Sequence, residues 1–136
     1  MGHTAANEGA AQAVPEALLN IAKAMRDLDD LVRLLGKGLS RAKPWQRQLA
    51  GQLSELDRLL QVLRMTVVID RSESEILAAA EALCVACRKA AAAIADSRCD
   101  VDTKAAVRLV TDLASRVRDE LRRIDSTHAR LLRQAL

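Results

Sequence analysis

Aromatic side chains are nearly missing from this chain of 136 residues: Trp45 stands alone, and there is no Phe and no Tyr. Sheet and sandwich cores rely on β-branched and aromatic side chains, so this lack argues against a β fold. The five glycines and two prolines are too few to punctuate many short strands. The most apolar window, residues 76–95, is interrupted by Glu81, Arg88 and Lys89, which argues against a membrane span.

Leucine and alanine, separated by Arg, Glu and Asp, dominate the chain instead, and this composition is typical of long helices. The length suits one domain with a single hydrophobic core. We therefore predict an all-α fold, an up-down-up-down four-helix bundle with a long C-terminal helix. Residues 15–136 form the bundle domain in this interpretation, after a flexible N-terminal segment over residues 1–14.

The three cysteines are an odd number, and residues 1–13 have neither a cationic start nor an apolar stretch. We therefore expect no secretory leader, and we interpret the cysteines as free thiols in a reducing cytoplasm. The predicted location is cytoplasmic.

Apolar residues recur in steps of three and four along four segments, which predicts helices over about residues 15–35, 44–69, 73–96 and 102–134. The seam positions that should face the core are Leu18, Ile21 or Ala22, Met25, Leu28, Val32 and Leu35, then Trp45, Leu49, Leu53, Leu56, Leu60, Leu63 and Val67, then Ile76, Ala80, Leu83, Cys87, Ala90 and Ile94, and finally Val107, Val110, Ala114, Val117, Leu121, Ile124, His128 and Leu131.

Local signals mark the predicted helix boundaries. The Gly-Lys-Gly sequence at residues 36–38 supplies a C-terminal stop for the first helix. Ser72 followed by Glu75 is a capping box for the third helix. Asp100 or Asp102 can cap the fourth.

The fourth helix has no interrupting Gly or Pro and spans about 34 residues in this interpretation, or about 50 Å, so that it extends some 10–20 Å beyond its neighbours. The leucines in this overhang would be exposed unless something covers them, and two explanations stay open. The alanine-rich residues 5–14 extend the first helix past Pro15, or a second protein covers the overhang.

We favour the second explanation, and we predict a non-enzymatic bundle that acts by protein–protein association, as a homo-oligomer or with another helical protein. The contact residues would be apolar side chains with a rim of arginines. The candidates are Ile124, Leu131, Leu132, Leu136, Arg122, Arg123, Arg130 and Arg133.

Nucleic-acid binding is the alternative function, because positive charge is concentrated in residues 36–71 and 101–136. Acidic residues are interleaved with the arginines of the fourth helix, which favours ion pairs within that helix over contacts with phosphates. The loop before the second helix is a compact basic segment with one aromatic ring. Its candidate residues for binding an anion or a nucleic acid are Lys37, Arg41, Lys43, Trp45 and Arg47.

No catalytic site, metal site or cofactor is predicted. Cys84 and Cys87 lie one turn apart near the middle of a helix, not at its N-terminus, and we interpret them as buried structural thiols. A zinc site would also need Cys99 and His128, which are far apart in an up-down bundle. The Asp125 and His128 pair supplies only part of a carboxylate-bridged di-metal site.

Overall fold

The computed structural model describes the backbone of residues 5–69, 71–124 and 132–136, and their side chains from residue 16 onward. Four α-helices follow one another along the chain: α1 Ala5–Gly38, α2 Pro44–Val68, α3 Glu73–Ala95 and α4 Val101–Arg123. A short helical segment covers residues 132–135. No strand occurs in these described ranges, and the predicted all-α fold class is confirmed.

The helices form a ring in which each one packs on two neighbours, α1 on α2, α2 on α3, α3 on α4, and α4 on α1. Gln61 Nε2 in α2 donates to Asp29 Oδ1 in α1 at 3.3 Å. Lys104 Nζ near the start of α4 donates to the carbonyl oxygen of Ala95 at the end of α3. With short connections between long helices, these contacts correspond to the up-down-up-down arrangement.

The predicted seams form most of the core, and Leu113 and Cys99 are buried with them although neither is a predicted seam position. Helices α1 to α4 all contribute to one cluster of buried side chains, as does Leu132. The periodicity-based prediction is confirmed for these seam residues: Leu18, Ile21, Met25, Leu28, Val32, Leu49, Leu53, Leu56, Leu60, Leu63, Val67, Ile76, Ala80, Leu83, Cys87, Ala90, Ile94, Val107, Val110, Ala114, Val117 and Leu121. Trp45 and Leu35 are half-buried and pack against the same cluster.

Two predicted caps are present. Ser72 Oγ accepts from the backbone N–H of Glu75 at the start of α3. Asp100 Oδ2 accepts from the backbone N–H of Thr103 at the start of α4, at 2.9 Å. These acceptors satisfy backbone N–H groups that have no partner within the first turn of a helix.

Helix α1 begins at Ala5 and not at Pro15, so residues 5–14 are helical where the sequence predicts a flexible segment over residues 1–14. Residues 1–4 lie outside the described residues. A proline inside a helix removes one backbone hydrogen bond. The ten residues before it include five alanines, and alanine has the highest helix propensity. Of the two explanations that the sequence left open, the extension of the first helix past Pro15 is the one that the backbone follows.

Helix α4 spans 23 residues and ends at Arg123, with Ile124 in an extended conformation. It does not continue to about residue 134 as predicted. Ile124 is followed in sequence by Asp, Ser and Thr, residue types that lower helix propensity because their side chains compete for backbone hydrogen bonds. At about 35 Å, α4 matches the lengths of α2 and α3, so within the described residues Val101–Arg123 does not form the expected overhang.

Candidate association surface

The two described C-terminal leucines, Leu132 and Leu136, pack in or against the core of their own chain. Leu132 is completely buried, and Ile124 and Leu136 pack against the core as partly buried side chains. The prediction that Leu132 extends beyond the bundle is therefore wrong, because α4 ends at Arg123 and residue 132 packs in the core. An interface that includes Ile124 and Leu136 stays a prediction. Leu131 and Arg130 lie outside the described residues.

The predicted rim arginines of α4 are paired with carboxylates of the same molecule. Arg122 Nη2 contacts Glu81 Oε1 of α3 at 2.5 Å. Arg123 Nη1 lies 3.4 Å from Glu120 Oε1. The predicted pairing within α4 is present, and Glu81 adds a link between helices that the sequence pattern did not reveal. Arg133 is half-buried.

The basic loop between α1 and α2 has a defined backbone. Arg47 Nη1 donates to the carbonyl oxygens of Arg41 and Ala42 at 3.1 and 3.0 Å. The backbone N–H of Lys43 donates to Gln46 Oε1 at 2.9 Å. The side chains of the four predicted cations, Lys37, Arg41, Lys43 and Arg47, are exposed.

Trp45 is half-buried and packs against the core, with its Nε1 buried and without an acceptor among the described residues. Trp45 therefore closes the end of the bundle and does not present an open ring face on which a base could stack.

The arginines in the second half of α4 and the basic loop do not form one surface. Leu39 of the loop lines the same groove as Thr103 in the first turn of α4. Arg116 lines a separate groove beside Asn20 of α1. Along α4, residues 116–123 therefore lie about 20–30 Å from the loop end of the bundle.

The thiols of Cys84 and Cys87 are buried and free. Burial raises the pKa of Cys87 to about 12 and also raises the pKa of Cys84. Neither side chain is a reactive thiolate at neutral pH, because the thiolate is the nucleophilic form. Within the described ranges no three His, Cys, Asp or Glu side chains form a group that could hold a metal ion. Both histidines lie outside those ranges.

An apolar surface that the sequence analysis did not single out lies on the C-terminal half of α2. Val62, Met65, Val68 and Ile69 are 41, 54, 41 and 51% exposed. We call these four residues the α2 stripe. Val62, Met65 and Ile69 recur at steps of three and four residues, so they share one side of the helix. This side faces away from the buried seam of Leu56, Leu60 and Leu63.

Three residues of the α2 stripe, Val62, Met65 and Ile69, line an open groove whose second wall comes from α3. Glu75 and Ala79 line the groove beside Val62 and Met65. The two ends of this groove carry opposite charges that differ in how well they are paired. Asp57 lies at one end and Arg71 at the other.

The chain matches no protein-family model, no curated protein and no solved structure. No helix among the described residues is long and apolar enough to cross a membrane. The interpretation of the candidate surface therefore depends on its own chemistry.

The α2 stripe was missed because residues 67–69 were interpreted as the end of a helix and the seam accounted for the leucines. The sequence does contain a signal for it. Val62, Met65 and Ile69 repeat with helical spacing on the side opposite to the seam, where polar residues are expected.

Proposed function

We propose that this chain is a non-enzymatic helical bundle that acts by protein–protein association, with the α2 stripe as its contact surface. The observation that carries the proposal is the exposure of four neighbouring apolar side chains on one helix. Single exposed apolar residues are common on protein surfaces, whereas a contiguous apolar patch beside polar groups is typical of an interaction site. This surface takes the place of the C-terminal helix in the association hypothesis.

A helix is the partner element that fits such a stripe. Apolar side chains at steps of three and four residues form a ridge that packs against another helix. The groove between α2 and α3 gives a second wall against which that partner helix can lie. We place the association in the cytoplasm, and the three free cysteines support a reducing compartment.

Site-specific photo-crosslinking in the native host tests this proposal. A photoreactive amino acid at Met65 should give a discrete adduct, whereas the same amino acid at Leu109 should not. Leu109 is a matched control because it is 50% exposed but lies on α4. The adduct should disappear in the variant Val62→Asp, since a charge in the apolar contact would have to be buried. If position 65 gives no adduct beyond that of position 109, the association surface is not on α2.

The second candidate function, contact with a nucleic acid, is favoured by one observation at the loop end of the bundle. The sequence has no carboxylate between Asp30 and Glu55, yet that interval contains Arg33, Lys37, Arg41, Lys43 and Arg47. None of the ion pairs among the described residues includes the last four of these cations.

Binding to single-stranded and duplex oligonucleotides at two salt concentrations tests this second candidate. If phosphate contacts form, affinity should fall as salt rises, and Arg41→Ser with Lys43→Ser should reduce it. The paired α4 arginines supply the control variant, Arg122→Ser with Arg123→Ser, which should have a smaller effect. Absence of binding at low salt would remove this candidate.

A further inference from the structure

We infer that the occupant of the α2 stripe is a second copy of this chain, related to the first by a two-fold axis that passes close to Met65. This inference rests on the proposed function, since it names the partner for the same surface. Its evidence is the charge distribution at the two ends of the groove.

Asp57 is the incompletely paired carboxylate at one end. Its Oδ1 is buried without a hydrogen-bond partner among the described residues. No cation lies within ion-pair distance of Asp57 in those same residues. Oδ1 itself is out of reach of a partner molecule, so this half-buried carboxylate would accept a cation from another copy through its second oxygen, Oδ2.

Arg71 is the available cation at the other end. Its side chain is 58% exposed, and its contact with Glu75 is long, at 3.7 Å between Nε and Oε2. The remaining guanidinium N–H groups can donate to a second carboxylate, because an arginine carries five such donors.

A two-fold contact brings opposite ends of the same surface together, so each residue pair forms twice. Met65 lies close to midway between Asp57 and Arg71 in the sequence. An axis near Met65 in an antiparallel α2 pair thus places Arg71 of each copy at Asp57 of the other. The same axis packs Val62 of one copy against Val68 and Ile69 of the other.

Two other charged side chains line the groove, Arg58 and Glu75, and each forms an ion pair within its own copy, Glu75 with Arg71 and Arg58 with Glu55. Arg58 donates from Nε and Nη2 to the two carboxylate oxygens of Glu55, at 2.9 and 2.6 Å. This bidentate pair neutralises both residues within each copy. The apolar contact is small, so we expect a reversible dimer with a dissociation constant on the order of micromolar.

Disulfide trapping tests the position of the axis. In the variant Met65→Cys the two new thiols would face each other, and mild oxidation at neutral pH should give a covalent dimer. The native thiols are buried and do not compete. Leu109→Cys provides the control at similar exposure. We expect dimer formation at least about tenfold faster for Met65→Cys, as expected for an oriented pair of reactants. Equal rates for the two variants would overturn the inference.

A charge exchange tests the pairing of Asp57 with Arg71. Asp57→Arg and Arg71→Asp should each raise the dimer dissociation constant, measured by sedimentation, by about tenfold or more. The double variant Asp57→Arg/Arg71→Asp should restore association, because each copy then offers the same two charges in exchanged positions. Circular dichroism checks that all three variants fold. Failure of the double variant to recover would contradict the two-fold pairing.

The photo-crosslink at position 65 separates this inference from the proposed function. An adduct of twice the chain mass of 14.8 kDa supports a second copy. An adduct of any other mass overturns the second copy as occupant and leaves association through the α2 stripe in place. No adduct at position 65 beyond that at position 109 overturns both.

Discussion

Leu132 is the residue whose environment differs most from its prediction. The periodicity predicts that helix α4 continues close to the C-terminus and that this side chain lies beyond the bundle. In the structure the side chain is completely buried. The sequence could not give this result, because burial of residue 132 depends on where α4 ends. The end of α4 depends on residues 124–127, Ile, Asp, Ser and Thr, whose helix propensity is low. The apolar periodicity before and after them favours a continuous helix.

The variant Leu132→Ala tests this placement. We expect it to lower the free energy of unfolding by about 2–4 kcal/mol, because truncating a buried leucine removes apolar contacts and leaves a cavity. Leu34→Ala is the control at an exposed position and should change stability by less than about 0.5 kcal/mol. Urea unfolding provides the measurement. Equal small effects would mean that residue 132 is not in the core.

Because of Cys87, we expect the folded chain to lose stability as the pH rises into the alkaline range. Its thiol has an ordinary pKa of 9.0, and burial raises the pKa in the folded chain to about 12. Between these values the unfolded chain has released a proton that the folded chain still holds, so rising pH favours unfolding. We expect no contribution from this thiol below about pH 8 and a progressive loss of stability between about pH 9 and 12.

Measuring the free energy of unfolding against pH for the native chain and for Cys87→Ala checks this expectation. The variant is less stable at neutral pH, since it loses buried contacts, but its stability should fall less steeply above pH 9. An unchanged slope would show that Cys87 ionises normally in the folded chain.

Among the elements, the helices were predictable where periodicity and a cap agree. The seams of α2 and α3, the Ser72 cap and the Asp100 cap all follow from local sequence. The start of α1 was not predictable in the same way, because Pro15 is a signal for a helix start and also a tolerated interior residue. Contacts between helices, such as that of Glu81 with Arg122, could not be predicted from the sequence, since they depend on which sides of neighbouring helices face each other.

The cap of α3 is open to a direct test. Ser72→Ala should lower the free energy of unfolding by about 1 kcal/mol, because the N–H of Glu75 loses its acceptor. Ser54→Ala makes the same chemical change inside α2, where the gain in helix propensity should leave stability unchanged or slightly raised. If the two variants behave alike in urea unfolding, Ser72 does not cap α3.

For the molecule as a whole, one core cluster draws on α1 to α4 and on Leu132. A small chain built around a single core should unfold in one cooperative step. Trp45 is the only aromatic side chain and packs against that core near the loop end. We expect its fluorescence and the far-ultraviolet circular dichroism to follow coincident urea curves. An earlier fluorescence transition would show that the loop end opens separately.

The buried carboxylate of Asp29 has a consequence for the handedness of the bundle. Four antiparallel helices can be arranged clockwise or anticlockwise around the same apolar seams with similar core burial. The two flanks of each seam exchange neighbours between these arrangements. Gln61 lies on the flank of α2 that faces α1, where its Nε2 donates to Asp29 Oδ1. The opposite winding would turn Gln61 toward α3 and leave Asp29 without that donor, an unfavourable state for a buried polar group. This hydrogen bond therefore favours one winding over its mirror topology, a distinction that the leucine seams alone do not make.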